Sequence, residues 1–163
     1  WNYNDVQKIK NTYLKSLFVS KLFVIQEQNI NCHFECNNNI DTIPIHTFDL
    51  IRILGITLDN AIEEASLVND GKISVLIYED DTQIEFLIEN TCKPNNTSVS
   101  QLVEEGFSSK KNHLGLGLSN IQEIKQKYSN IYVQYRKEED MFSVQFILVF
   151  EQSDYHRLSV KSF

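Results

Sequence analysis

The segment LDNAIEEA, residues 58–65, carries polar side chains that could hold a metal ion and a phosphorylated ligand. At helical spacing Ile56, Asn60, Glu63 and Glu64 lie on one strip, because side chains three and four residues apart are neighbours. The side-chain oxygen of Asn60 is a neutral, hard ligand suited to Mg²⁺, which also holds phosphate oxygens and water. Taken alone, the segment is equally consistent with an exposed asparagine beside two solvated glutamates.

A second segment, HLGLGLSNI at residues 113–121, joins a polar loop to a predicted helix. Gly115 and Gly117 let backbone N–H groups turn toward a ligand without obstruction by a Cβ atom, and the helix N-terminus adds partial positive charge. Such a junction suits phosphate groups. Two glycines before a helix can also form only a turn, and the Gly-Lys-Ser/Thr ending of a Walker loop is missing.

A third segment, GFSSKK at residues 106–111, precedes the glycines. Lys110, Lys111 and two serine hydroxyls form a local cationic spot on an acidic chain. They could neutralise a triphosphate and order the loop when it binds. The alternative is a solvated surface turn.

The composition limits the classes of partner. The 163-residue chain has a formal charge of −7, which disfavours nonspecific attraction to nucleic acid or anionic lipid. Cys32, Cys36 and Cys92 lack a paired metal spacing, so we expect reduced, structural thiols. No stretch is apolar enough for a transmembrane helix, and Trp1 in place of an initiator methionine suggests an excised fragment without a signal peptide.

The elements that position these segments begin with a predicted helix over residues 5 to about 28. Its apolar side chains form two adjacent stripes, Val6, Ile9, Tyr13, Leu17 and Leu14, Phe18, Leu22, Ile25. Since a lone surface helix needs only one stripe, this helix either packs on a second helix or a copy of itself, or it lies on its own domain.

A loosely alternating strand over residues 30–40 precedes the best-defined helix. This helix opens near Pro44 with the candidate cap Thr47 and ends by the turn at residues 69–71. Its predicted buried face consists of Leu50, Ile53, Leu54, Thr57, Leu58, Ala61, Ile62 and Ala65.

Two hairpins complete the predicted sheet. One pairs residues 73–77 with 84–88 across the turn 79–82, and the other pairs 131–135 with 142–150 across 137–140. Between them lie a long polar stretch over residues 90–112, with a short helix near 100–105, and a helix over 118–128. Hairpins dominate over βαβ alternation, which predicts an α+β fold with helices on one face of the sheet.

The asparagine helix, the hairpin, the lid segment and "GLGLSNI", in this order, resemble the GHKL superfamily of gyrase, heat-shock chaperone, histidine-kinase and mismatch-repair ATP-binding domains. Within it, "RILGITLDNAIEEA" and "FSSKKNHLGLGLSNI" look like sensor histidine kinases, and most like Gram-positive receptors for peptide pheromones, of the competence and accessory-gene-regulator type. The resemblance covers residues 6–150. It implies a two-layer α/β sandwich of the Bergerat type with a mixed sheet, preceded by one long N-terminal helix.

The resemblance also implies ATP and Mg²⁺ as cofactors and assigns residue roles by position. Asn60 would coordinate Mg²⁺ and, with Lys110 at the terminal phosphates, serve catalysis, while Phe107 would anchor the lid. The residues expected to wrap the phosphates are Gly115, Leu116, Gly117 and Leu118.

Two departures from the family pattern refine these expectations. Histidine kinases usually carry an Asp-x-Gly-x-Gly segment whose aspartate accepts the adenine amino hydrogen, whereas here the strand phase places Asn90 at that position. Its amide oxygen can accept the bond without a charge, so we expect weak nucleotide binding. Many members also carry an acidic or amide residue where this chain has Ile56, which leaves no base to activate water. Phosphoryl transfer to a histidine supplied elsewhere does not need that base.

The phosphoryl acceptor is missing from the chain. His33, His46, His113 and His156 all lie outside the first helix and outside an acidic helical context. The resemblance therefore implies that an acceptor helix and a membrane sensor lie upstream of Trp1. Residues 1–28 would be the second helix of a dimerisation hairpin, 29–150 the ATP-binding catalytic domain and 151–163 a tail.

The expected partners are the acceptor helix of the same receptor, a response regulator and, in the full-length receptor, a second copy. We expect no nucleic-acid partner, a cytoplasmic location, and membrane attachment only through the missing sensor. The fragment alone would not autophosphorylate. Two other classes stay open: a GHKL ATPase or anti-sigma-type serine kinase, disfavoured by Ile56 and the N-terminal helix, and a docking module that has lost nucleotide binding.

Overall fold

The structure, a computed structural model, describes residues 3–94 and 113–151, with the backbone alone for residues 113–116. Its elements in chain order are α1 (Tyr3–Val6), α2 (Thr12–Glu27), β1 (Asn31–Cys36), α3 (Thr47–Ala65), β2 (Lys72–Glu79), β3 (Gln83–Thr91), α4 (His113–Lys125), β4 (Ile131–Glu138) and β5 (Met141–Val149). None of the helices in these two ranges is long and apolar enough to cross a membrane. The predicted short helix at residues 100–105 and the tail after residue 151 lie outside the described residues.

The sheet has five strands in the order β1-β2-β3-β5-β4. β1 pairs with β2 in parallel, and the other three pairs are antiparallel. The parallel pair requires a crossover, which α3 supplies. Every second residue of β2 and β3 is buried, and α2, α3 and α4 pack on the sheet. The predicted α+β fold with a mixed sheet is therefore confirmed.

The N-terminal helix is interrupted. A continuous helix from Asp5 was predicted, and this is wrong, since α1 ends at Val6 and α2 begins at Thr12. Between them Ile9 pairs with Ile40 in a parallel bridge, and the Lys10 N–H donates to the Ile40 carbonyl at 2.8 Å. Strand-like pairing at this point overrides the helical periodicity.

The helix α2 lies on its own domain, which was one of the two alternatives for its apolar stripes. Leu14, Phe18, Leu22 and Ile25 are each at most 1% exposed. The Phe18 ring contacts two rings of the sheet, Phe34 and Phe86, at centroid distances of 5.5 and 6.5 Å. Whether α2 also belongs to a dimerisation hairpin in a longer chain is not tested by these contacts, and the assignment of residues 1–28 stays a prediction.

The helix α3 is the central support of the molecule. All eight residues of its predicted apolar face are buried. The prediction of Thr47 as its cap is wrong, because His46 is the N-cap and its Nδ1 accepts a hydrogen bond from the Phe48 N–H at 3.2 Å. The turn that follows needs glycine, since a Cβ on Gly71 would lie 2.2 Å from the Ala65 carbonyl oxygen.

The two hairpins form as predicted, but both turns are shorter than predicted, covering residues 80–82 and 139–140. Asp80 closes the first, where its Oδ1 accepts from the N–H groups of Thr82 (2.8 Å) and Gln83 (3.0 Å). These bonds lower the pKa of Asp80. In the second hairpin the strands extend to Glu138 and from Met141, so the turn is shorter than predicted.

Buried polar contacts connect the end of α4 to the rest of the fold. Asn130 is buried, and its Nδ2 donates to the carbonyls of Pro44 (3.1 Å) and Val149 (2.9 Å). The Tyr128 hydroxyl donates to Asp49 Oδ2 at 2.5 Å, near the start of α3. These bonds fix the C-terminal end of α4 against α3 and β5.

Candidate functional site

The asparagine segment and the glycine segment meet where α3 packs on α4. A Cβ atom on Gly117 would lie 2.7 Å from Ile56 Cγ2 and 3.2 Å from Asn60 Nδ2. Only a residue without a side chain allows the backbone of α4 to approach α3 this closely. The structure thus brings together two motifs that are more than fifty residues apart in sequence.

The helix α4 begins earlier than predicted. We expected a loop through Gly117 and a helix from Leu118, but the helix already starts at His113. Burial of Leu118, Ile121 and Ile124 against the core stabilises the helix, although each interior glycine costs about 1 kcal/mol relative to alanine.

This earlier start changes the expected roles of the glycines. The first four N–H groups of a helix have no intrahelical partner. Gly115 is the third residue of α4, so its N–H group remains available to a phosphate. Leu116 is the fourth residue, and at the fourth residue of α2 and α3 the N–H group of Lys15 or Leu50 bonds to the carbonyl of the cap residue. Gly117 and Leu118 lie further in, where N–H groups bond within the helix; Gly117 packs closely on α3 and Leu118 is buried. The role of these residues in wrapping the phosphates stays a prediction.

Asn90 lies at the end of β3 on the face covered by helices. It is 3% exposed and continues the alternation of Ile84, Phe86 and Ile88 that the sequence predicted. Its Nδ2 donates to the Thr91 carbonyl at 3.0 Å. This bond uses the donor end of the amide and leaves Oδ1 as an acceptor for a ligand.

A comparison with protein families decides which group this site belongs to. The family model for the GHKL domain matches residues 45–149, more than half of the chain. The chain belongs to the GHKL domain family. No curated protein sequence matches it.

Solved structures of histidine kinases share the fold of this GHKL domain. The catalytic domain of ThkA is 22% identical, with a TM-score of 0.69 over 85% of this chain and 92% of that one. The structure of ThkA in complex with the response regulator TrrA is 19% identical, with a TM-score of 0.64 over 88% of this chain and 41% of that one. The histidine kinase AdeS of Acinetobacter baumannii is 15% identical, with a TM-score of 0.63 over 85% of this chain and 65% of that one. Full-length ShkA in complex with AMPPNP is 16% identical, with a TM-score of 0.63 over 82% of this chain and 29% of that one.

Two of the predicted site residues of this GHKL domain, Phe107 and Lys110, lie outside the described residues, as does the whole lid segment. The roles assigned to them stay predictions. The structure does bring Asn60 close to Gly117, and it places Asn90 on the same, helix-covered side of the sheet.

The residues around Asn60 suit a magnesium ion that is shared with a ligand. Within residues 3–94 and 113–151, no three His, Cys, Asp or Glu side chains converge as a metal site. Asn60 itself is half-buried, with half-buried Glu63 and Glu64 a turn later. A single neutral oxygen donor fits Mg²⁺ only where phosphate oxygens and water complete the octahedron.

Sequence reasoning missed a lysine, Lys137, near Asn90, since both residues are opposite Phe142 in the sheet. Lys137 Nζ lies 3.7 Å from Cys92 Sγ and donates to the Lys93 carbonyl at 3.5 Å. Cys92 is buried, and its burial raises the pKa of the thiol, so the neutral form faces the lysine. The inward phase of Val133 and Tyr135 on β4 was the signal that could have placed Lys137 here.

Proposed function

We propose that this GHKL domain is the catalytic domain of a histidine protein kinase, which binds ATP with Mg²⁺ and donates the γ-phosphoryl group to a histidine outside this chain. The supporting observation is the contact between Gly117 and Asn60, with 3.2 Å between the Cβ position and Nδ2. The same Cβ position lies 3.9 Å from Asn60 Oδ1, the proposed metal ligand, so this oxygen lies near the start of α4, where the first N–H groups have no partner in the helix.

Each of the described site residues would bind a different part of the ATP–Mg²⁺ complex. Asn60 would hold Mg²⁺, whose charge offsets that of the β- and γ-phosphates. The N–H group of Gly115 would bind phosphate oxygens, while Leu116, Gly117 and Leu118 would wrap the phosphates at the same end of α4. Asn90 Oδ1 would accept the adenine amino hydrogen. Lys110 at the terminal phosphates and Phe107 in the lid complete the proposed set.

Ile56 supports transfer to a protein rather than hydrolysis. Its Cγ2 lies at the closest approach to Gly117, one turn before Asn60. An apolar side chain there cannot take a proton from water. Phosphoryl transfer to a basic imidazole depends mainly on positioning and charge neutralisation, which the remaining groups supply.

The wider setting that we infer is two-component, quorum-sensing signalling in a Gram-positive bacterium. The motif resemblance to peptide-pheromone receptors and the neutral Asn90 at the base position support it. The acceptor histidine would lie on a helix upstream in the same membrane receptor, which acts as a homodimer. A response regulator would then take the phosphoryl group, and the complex of ThkA with TrrA supports this partner.

The direct test is calorimetric titration of the chain with AMPPNP and Mg²⁺, followed by addition of ATP and a separate acceptor-helix polypeptide. We expect saturable, weak binding and transfer that requires the acceptor. No saturation at millimolar nucleotide would contradict the kinase and favour a docking module. Phosphate release without acceptor would favour an ATPase.

Substitution of Asn60 tests whether phosphoryl transfer depends on this residue. Asn60→Ala should abolish transfer and leave the unfolding midpoint nearly unchanged, because Asn60 is half-buried and borders the core face. Asn69→Ala, an exposed asparagine in the turn after α3, is the matched control and should transfer normally. Unfolding of the Asn60 variant would instead make Asn60 a structural residue.

A further inference from the structure

Tyr135 on β4 carries a buried hydroxyl that the proposed site does not yet use. Its oxygen has no hydrogen-bond partner among the described residues. Burial raises the pKa of Tyr135 to about 12, so the group stays a neutral donor at physiological pH. A buried polar group without a partner costs about 1–3 kcal/mol, and its presence calls for an explanation.

The sheet register places Tyr135 near the base-binding asparagine. Asn90 is opposite Phe142 on β5, and Phe142 is opposite Lys137 on β4. Tyr135 lies two residues before Lys137 on the same face. Standard sheet spacing then separates the Cα atoms of Tyr135 and Asn90 by about 10 Å across the strands and about 7 Å along them.

The tyrosine side chain is directed toward the row that contains Asn90. Its ring stacks on the ring of Phe142, with centroids 6.3 Å apart and planes inclined by 19°. Since Phe142 is the direct neighbour of Asn90, one nucleobase can reach both polar side chains. The aromatic pair also offers an apolar surface for the base.

The other polar side chains in the cross-strand row Asn90, Phe142 and Lys137 already donate hydrogen bonds within the protein. Asn90 Nδ2 donates to the Thr91 carbonyl, and Lys137 Nζ contacts Cys92 and the Lys93 carbonyl. The Tyr135 hydroxyl is therefore the donor that a ligand can take without breaking an existing bond.

We propose that the Tyr135 hydroxyl donates a hydrogen bond to a ring nitrogen of the bound adenine, as a second base-recognition group beside Asn90. This inference rests on the proposed nucleotide-binding function. It accounts for an orphan hydroxyl at the position where the base site has an amide in place of a carboxylate, because a second neutral bond offsets part of the missing charge.

The variant Tyr135→Phe removes only the hydroxyl and keeps the ring. We expect the Kd for AMPPNP with Mg²⁺, measured by calorimetry, to rise about five- to tenfold, the effect of one neutral hydrogen bond. The unfolding midpoint should stay equal or rise, since the lost hydroxyl has no partner among the residues that the structure describes. Tyr132→Phe, on the same strand with a ring that is 55% exposed, is the matched control and should not change the Kd.

Two further probes separate base recognition from pocket shape. Magnesium tripolyphosphate, which lacks the base, should bind Tyr135→Phe and the wild type equally. ATP analogues with N1, N3 or N7 replaced by carbon identify the ring nitrogen that accepts the bond. The analogue that lacks this nitrogen should bind the wild type and Tyr135→Phe with the same Kd. A wild type that does not bind AMPPNP would contradict the nucleotide-binding function itself. A wild type that binds, with an unchanged Kd in the variant or an equal loss for tripolyphosphate, would overturn only the role of Tyr135.

Discussion

At the residue scale, the contact at Gly117 determines how closely α4 can approach the candidate metal ligand. Gly117→Ala adds a methyl group 2.7 Å from Ile56 Cγ2 and 3.2 Å from Asn60 Nδ2. We expect the gain in helix propensity, about 1 kcal/mol, to be outweighed by overpacking of about 1–3 kcal/mol. Calorimetry should also show loss of AMPPNP binding, because α4 must move away from Asn60.

Gly55→Ala is the matched control, since Gly55 is also interior to a helix and a Cβ there meets only Leu17 Cδ1 at 3.6 Å. We expect it to raise the free energy of unfolding by about 0.5–1 kcal/mol in urea denaturation. The double variant Ile56→Ala with Gly117→Ala removes the clashing Cγ2 and should show less than the sum of the two single losses. Additive losses would contradict the steric explanation.

The same scale shows which site residues the sequence could predict. The buried face of α3 and the position of Asn60 beside it follow from local periodicity, and all eight predicted positions are buried. Alternation along β4 indicates the face of Tyr135 and Lys137, but not their neighbours. Those depend on β5 lying between β3 and β4, a pairing that local sequence does not encode.

At the element scale, two of the errors in helix boundaries have tertiary causes. The break before α2 comes from the pairing of Ile9 with Ile40, thirty-one positions away. The early start of α4 comes with close packing of Gly117 on α3, which a local reading of two glycines as a turn could not anticipate. At the first place a segment predicted to be helical is not a helix, and at the second a segment predicted to be a loop is one. Tertiary contacts therefore override local helix propensity in opposite directions.

The contact between the ends of α3 and α4 should make stability depend on pH. The hydrogen bond from Tyr128 is the main cause that lowers the pKa of Asp49, and Lys127, 3.4 Å away, adds to it. A carboxyl whose pKa is lower in the folded state stabilises the fold above its unfolded pKa. That stabilisation is lost as the pH falls through the folded pKa.

Tyr128→Phe should therefore lower the free energy of unfolding by about 2 kcal/mol at neutral pH, as for a hydrogen bond to a charged group. The difference from wild type should shrink in urea denaturation below the ordinary Asp pKa of 3.8, as Asp49 becomes protonated. NMR titration should show the pKa of Asp49 rising toward that value, while Asp80, held by Thr82, keeps its lowered pKa as internal control. A loss independent of pH would assign the effect to packing.

At the scale of the whole molecule, α2 completes the core although it lies outside the matched family segment. The GHKL match begins at residue 45, after both α2 and β1. The four buried side chains of α2 each contribute about 1.5–3 kcal/mol of burial free energy. Their sum is comparable with the total stability of a domain, about 5–15 kcal/mol. We therefore expect the fold to unfold as one cooperative unit from α2 to β5.

This has a direct consequence for the predicted boundary at residue 29. A fragment of residues 29–150 should show no cooperative urea transition and should bind a hydrophobic dye, whereas residues 3–151 should unfold cooperatively, because only the longer fragment covers Phe34 and Phe86 with Phe18. Within the full chain, Phe18→Ala should cost about 3–5 kcal/mol. Phe23→Ala, on the same helix and 59% exposed, should change stability by less than about 0.5 kcal/mol. If residues 29–150 instead fold and bind AMPPNP as tightly as the full chain, α2 is dispensable for the domain, and its assignment to a dimerisation hairpin gains support.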